Sequence, residues 1–215
     1  DQSGQRTPLP KPNIDTGMGL ERTLAAIQGK PSPYETDLFS PLIDQICRLS
    51  KKEYGRGDNT DRAIRIVAEH SRGIAFLIAD GVMPSNEGRG YVLRRIMRRA
   101  MRHGKMLGIG DPFLHRTSAK VVDLMKEAYP ELRETEIFIS KVIQNEEERF
   151  SETLDSGLKI LREELDKLRQ ERKRILSGEV AFRLYDTFGF PLDLTSDILQ
   201  EEGMGVDEEG FRAQM

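Results

Sequence analysis

Leu93-Arg94-Arg95-Ile96-Met97-Arg98-Arg99-Ala100-Met101-Arg102 sets apolar residues three and four positions apart. That is the period of an α-helix and not of a strand, with Leu93, Ile96, Met97, Ala100 and Met101 on one stripe. The arginines flank the stripe and cover the opposite face, and the periodicity predicts a helix from about Arg89 to Leu107. Arginines four apart repel, each pair costing an isolated helix about 0.2–0.5 kcal/mol. Only Glu87 supplies acid nearby. Such a run is offset by an external polyanion or by carboxylates from elsewhere in the fold. Phosphate fits the first case, because guanidinium forks match its oxygens. Acidic runs such as Glu146-Glu147-Glu148 fit the second. The charge pattern favours nucleic-acid contact.

Helical spacing continues on both sides. A helix is expected from about Ser40 to Lys51, and another up to about Ala79, with Asp58 or Thr60 as its cap. Pro112 opens one to about Tyr129. Pro130 opens a very long one, from about Glu131 to Arg174, read as a helical arm or hairpin interrupted near Gly157. A shorter helix follows Gly178 and is broken by Gly189-Phe-Pro191. No strand-type alternation appears after residue 40. The expected class is mainly α, a helical bundle with a long helical arm.

The start of the chain reads differently. In Asn13-Ile-Asp-Thr-Gly-Met-Gly-Leu-Glu-Arg22 a short β-prone stretch ends in Asp15, Gly17 and Gly19 form a turn, and a helix begins. Glycines there let backbone and ligand approach closely. Leu20, Leu24 and Ile27 predict one buried face on that helix, which Gly29, Pro31 and Pro33 end. Asp15 and Arg22 bring one anion and one cation to a single turn, as a site for both an amine and a phosphate requires. A strand this short forms no sheet alone, so the chain is expected to be a piece of a longer protein. Residues 1–33 are assigned to the end of one domain and 34–215 to a helical domain.

Of the 215 residues, 32% are charged and 37% hydrophobic, and the net charge is −3. No apolar run approaches the roughly 20 residues that span a bilayer, and no signal sequence is visible. These features suggest a cytoplasmic protein without a membrane partner. Cys47 cannot form an internal disulfide and is expected to be a buried, inert thiol. His70, His103 and His115 are not spaced as metal ligands, and no metal site is expected.

The Gly17-x-Gly19-x-x-Arg22 run resembles the third signature motif of class II aminoacyl-tRNA synthetases, in detail that of the alanyl-tRNA synthetases. Two further stretches resemble the same family in the same order: Asp80-Gly-Val-Met-Pro-Ser-Asn-Glu-Gly-Arg-Gly-Tyr-Val-Leu-Arg-Arg95, and Ala181-Phe-Arg-Leu-Tyr-Asp-Thr-Phe-Gly-Phe-Pro-Leu-Asp-Leu-Thr195. The likeness runs from about Leu9 to Phe211, with a glutamate in Val67-Ala-Glu-His70 where the family often has aspartate.

The resemblance implies that residues 1–33 are a strand–turn–helix remnant of an antiparallel-sheet catalytic domain, and that 34–215 receive the tRNA acceptor stem. It implies ATP-dependent activation of alanine and transfer to the 3′ end of tRNA(Ala), the isolated chain being catalytically incompetent. Asp15 would hold the alanine ammonium, Arg22 the ATP γ-phosphate, and Gly17 and Gly19 would leave room for adenosine. Asn86 and Asp186 would read a G·U pair of the acceptor stem, with Arg89, Arg94, Arg95, Arg98, Arg99 and Arg102 contacting the RNA. Read without the family, Asn86 is a helix cap and Asp186 caps a turn. ATP with Mg²⁺ would serve the intact enzyme, the family's zinc site would lie outside this stretch, and the piece alone would be monomeric. The alternatives are a non-catalytic helical nucleic-acid-binding module and a helical scaffold whose long arm binds a partner helix.

Overall fold

The computed structural model describes residues 11, 13–110 and 112–215. It divides into two compact units, one ending at Ser40 and the other beginning at Pro41. Most of the first dozen residues, assigned above to the catalytic remnant, lie outside the described residues.

In the first unit, residues 13–19 carry no regular structure. The strand expected before Asp15 is therefore absent among the described residues, consistent with a strand existing only where a neighbour pairs with its backbone. Helix α1 spans Leu20–Ile27. Its expected buried stripe is not buried: Leu20 is 51% and Ile27 77% exposed, and Ala25 is the covered residue. A single 3-10 turn, Pro33–Glu35, follows; the Ser32 hydroxyl accepts from Tyr34 N–H and donates to Glu35 at 2.7 Å. Tyr34 packs on Phe39, ring centroids 5.3 Å apart.

Helix α2 (Ser40–Ser50) leads into the second unit. There α3 (Asp58–Ala79) and α4 (Gly88–Met106) lie together, and α5 (Leu114–Met125) packs on α3. The core between them is aliphatic, with Ile64, Val67, Ile74, Ile78, Leu93, Met97 and Val121 buried. Gly57 occupies the N-cap of α3, so neither Asp58 nor Thr60 does. The helix expected from Pro112 starts two residues later, at Leu114, and ends four before Tyr129.

The long helix is divided near its start and not at its glycine. A five-residue α6 (Pro130–Glu134) ends at Thr135, and α7 then runs unbroken over Glu136–Gln170. At about 1.5 Å per residue that is roughly 50 Å. Gly157 lies within this helix because a Cβ there would sit 2.4 Å from the Phe190 ring. It serves packing, and the helix pays no visible break for it. The apolar stripe of α7 is buried from Ile139 to Leu168. Helices α8 (Gly178–Phe188), α9 (Leu192–Glu201) and α10 (Glu208–Gln214) complete the unit. Two short strands, β1 (Ile175–Leu176) and β2 (Gly205–Val206), pair in parallel, the only sheet among the described residues. The mainly α class read from the sequence is the one observed, and no described helix is long and apolar enough to cross a membrane.

Two histidines lie in the packed region of α3 and α4. Burial, reinforced by Arg99, pushes His70 down to about 4. Burial, reinforced by Arg102, does the same to His103, with Glu201 opposing. Their Nε2 and Nδ1 atoms, respectively, are buried without a hydrogen-bond partner. Both rings are therefore neutral in the fold, while the unfolded chain takes up protons near pH 6.5. Stability is retained above that value and lost as pH falls from about 6.5 towards 4. We expect a loss of about 1–2 kcal/mol per histidine between pH 8 and pH 5. Tm measured against pH checks this; a flat profile between pH 7 and 5 would contradict it. Cys47 is half-buried and free, and burial pushes its thiol up, away from the reactive thiolate.

Candidate nucleic-acid interface

The α4 stripe packs inward as its spacing requires, and the five arginines from Arg94 to Arg102 all meet carboxylates. Glu146 of α7, 4% exposed, takes two of them. Arg98 donates to it through Nε at 2.9 Å and Nη2 at 2.7 Å, and the Arg94 Nε lies 3.2 Å away. The Arg94 Nε–H is not aimed for a hydrogen bond, so that contact is an ion pair only. The other three face α9. Arg95 meets Asp193 at 3.1 Å, Arg99 meets Asp197 at 3.2 Å, and Arg102 meets Glu201 at 2.6 Å. Burial raises Asp193, with Arg95 opposing. Burial also pulls Glu201 upward, but the Arg102 hydrogen bond and charge outweigh it and hold the carboxyl below its usual range.

Of the two ways of offsetting the run's repulsion, the fold supplies the internal one. Distant carboxylates neutralise the run, because α7 and α9 place acids against both flanks of α4. Among the six arginines assigned to RNA, Arg89 differs: it is exposed on the first turn of α4 and makes no ion pair among the described residues.

Arg98 is also a structural post. Its guanidinium stacks 4.9 Å over the Phe150 ring and donates to the Gly189 carbonyl. Burial lowers its proton affinity, and Glu146 opposes that. Gly189 ends α8 in the left-handed region (φ 67°), and a Cβ there would lie 2.3 Å from Arg98 Nη1. Only glycine meets both demands. The contact fixes the end of α8 against α4.

A cleft of about 310 Å³ opens beside this post. Asn86 and Tyr91 line it from the start of α4, Arg149 and Thr153 from α7, and Tyr185 and Asp186 from the end of α8. Two residues distant in sequence, Asn86 and Asp186, are thereby brought to one concavity. Neither is a cap. Glu87 holds the N-cap position of α4, and Asp186 lies within α8, whose C-cap is Gly189. Arg94 donates to Asn86 Oδ1, which leaves the amide NH₂ as a free donor. Asp186 is exposed and makes no hydrogen bond or ion pair among the described residues. Burial raises the Tyr91 hydroxyl, keeping it protonated in the cleft wall.

In the first unit, Asp15 and Arg22 are both exposed and make no ion pair with each other or with another described residue. Gly17 and Gly19 do not adopt positive φ, and a Cβ at either would meet nothing within 4 Å. The glycines thus leave open space and do not serve a strained turn. Among the described residues, no group of three or more His, Cys, Asp or Glu side chains converges.

The family model described as tRNA synthetases class II (A) matches residues 1–215. The chain belongs to that family. Within it, this class II chain is 54% identical over 215 residues to the alanine–tRNA ligase of Nitratidesulfovibrio vulgaris, covering 100% of the chain and 24% of the relative. It is 54% identical over 213 residues to that of Desulfosudis oleivorans, 99% of the chain and 24% of the relative. The alanine–tRNA ligase of Natranaerobius thermophilus is 50% identical over 215 residues, 100% of the chain and again 24% of the relative. The class II chain thus spans about a quarter of the length of these curated relatives. Three residues of its interface escaped the sequence reading: Arg149, and the acids Asp193 and Asp197. The acids fall four apart and Glu201 follows after four more, matching Arg95 and Arg99 four apart on α4. That shared spacing is a signal the sequence contained.

Proposed function

We propose that this chain is the acceptor-stem-receiving part of an alanine–tRNA ligase, with the cleft beside α4 reading a G·U wobble pair. In such a pair the guanine 2-amino group lacks a partner and faces the wide, shallow minor groove of A-form RNA. Asp186 accepts from that amino group. Asn86, its oxygen already taken by Arg94, donates its amide to a pyrimidine carbonyl. The observation that supports this is the meeting of Asn86 and Asp186 in one cleft, one offering donors and the other acceptors. Arg94 and Arg98 of α4 form part of the cleft wall, while Arg89 is left to meet phosphate.

In the whole enzyme the alanine carboxylate attacks the ATP α-phosphate and pyrophosphate leaves. The terminal adenosine hydroxyl of tRNA(Ala) then attacks the alanyl carbonyl, releasing AMP. Asp15 holds the alanine ammonium by a charge-assisted bond, and Arg22 grips the γ-phosphate. Gly17 and Gly19 admit the adenosine, and this positioning is what lowers the barrier. The chain by itself is read as monomeric, cytoplasmic and without ligase activity.

Binding of short acceptor-stem duplexes carrying G·U or G·C at the key pair tests the cleft. The chain should prefer G·U, and Asn86→Ala should remove about 1–3 kcal/mol of that preference. Equal affinity of the unaltered chain for both duplexes would refute the readout.

A further inference from the structure

We propose that Arg149 of α7 is the residue that holds an RNA backbone phosphate in the cleft, because the two α4 arginines that line it beside Arg149 share a buried carboxylate. The inference rests on the reading that an acceptor stem occupies this cleft. Three cations line it: Arg94, Arg98 and Arg149. Arg94 and Arg98 share Glu146 and are 19% and 14% exposed in their side chains. A phosphate would have to strip either from a buried carboxylate. Arg149 is exposed and makes no ion pair or hydrogen bond among the described residues. The acids nearest to it along α7 are Glu146, committed to α4, Glu147, committed to the start of α5, and the exposed Glu148 and Glu152, neither of which pairs with it.

The geometry of the wall suits a phosphate next to a groove edge. Arg149 and Thr153 are one helical turn apart and line the same wall. The Thr153 hydroxyl donates to the Phe150 carbonyl at 3.3 Å. Asn86 and Asp186 line the cleft from the loop before α4 and from the end of α8, and the Asp186 carboxylate repels phosphate. An arginine fork matches two phosphate oxygens at once. Arg149 is therefore a positioning residue: it sets the register of the duplex and carries no sequence information.

The test measures binding of G·U and G·C acceptor duplexes to this chain between 50 and 200 mM KCl, for the unaltered protein, Arg149→Gln, Arg149→Lys and Asn86→Ala. Arg149→Gln should weaken both duplexes by the same factor, roughly 5–10-fold at 50 mM. It should reduce the slope of log Kd against log salt by about 0.7–0.9, the loss of one phosphate contact. The G·U preference should survive, Arg149→Lys should keep most of the slope, and Tm should not move, since nothing in the fold leans on Arg149. Asn86→Ala should do the reverse, losing preference and keeping slope. If Arg149→Gln binds with unaltered affinity and slope while the G·U preference persists, Arg149 is not the contact and the cleft reading stands. If Arg149→Gln abolishes the G·U preference, it is not a phosphate contact. Should the unaltered chain bind neither duplex at 50 mM, the cleft reading fails and this assignment falls with it.

Discussion

Glu146→Ala should lower the stability of the second unit by about 3–5 kcal/mol, which for a unit of this size moves Tm by about 6–20 °C. One carboxylate, 4% exposed, faces two arginines, Arg94 and Arg98, that are themselves mostly buried. Removing it leaves two guanidiniums out of water and facing each other with no counter-charge. The damage should extend to recognition. Arg94 is what occupies Asn86 Oδ1, so releasing Arg94 lets the amide turn. Thermal unfolding together with duplex binding separates the two effects. A Tm within 2 °C of the parent would mean that Arg94 and Arg98 find water or other acids easily, against the burial seen here. The expected order is Glu146→Ala worse than Glu146→Gln, because glutamine keeps an acceptor for Arg98.

The neighbouring residue should matter nearly as much, for a different reason. Glu147 points the other way, into the start of α5, where it accepts from Phe113 N–H at 2.9 Å, Leu114 N–H at 2.7 Å and His115 N–H at 3.1 Å. The His115 ring nitrogen Nδ1 lies 2.9 Å from the same carboxylate. Helix starts leave N–H groups without partners and carry partial positive charge. The N-cap of α5 is Phe113, whose side chain cannot accept a hydrogen bond. A carboxylate from α7 therefore does what a local Ser or Asp does elsewhere. Glu147→Ala strands these buried donors and should cost about 3 kcal/mol or more. Glu147→Gln, which keeps one accepting oxygen, should cost about half. Hydrogen exchange reports the mechanism: the first-turn amides of α5 should lose protection before those of α3. Uniform loss across the unit would place the defect elsewhere.

Helix identities were legible because periodicity survives without partners: Leu93, Met97 and Ala100 are buried where their spacing put them. The limits lay where one segment answers to another. Gly157 looks like a helix breaker in its own segment, and only the Phe190 ring explains it. Leu20 and Ile27 have helical spacing, yet spacing cannot say whether anything covers them. The destination of the arginines was the hardest case. Their pattern required negative charge nearby, and both an RNA backbone and internal acids satisfy that requirement. Glu146 stands in an evident acidic run, whereas Asp193 and Asp197 are isolated acids four residues apart. Arg149, flanked by Glu148 and Glu152, reads locally as a residue on a solvated face. It gains meaning from the two helices that meet beside it.

The three contacts between α4 and α9 differ in how far they are sunk. Arg95 and Asp193 are 41% and 40% exposed, Arg99 and Asp197 33% and 28%, while Arg102 is 7% exposed against Glu201 at 32%. Dissolved ions screen the outer pair strongly and the inner one little. The seam is therefore graded, its exposed end lying two residues from Pro191, which lines the cleft. Raising the ionic strength should loosen these two helices from that exposed end inward.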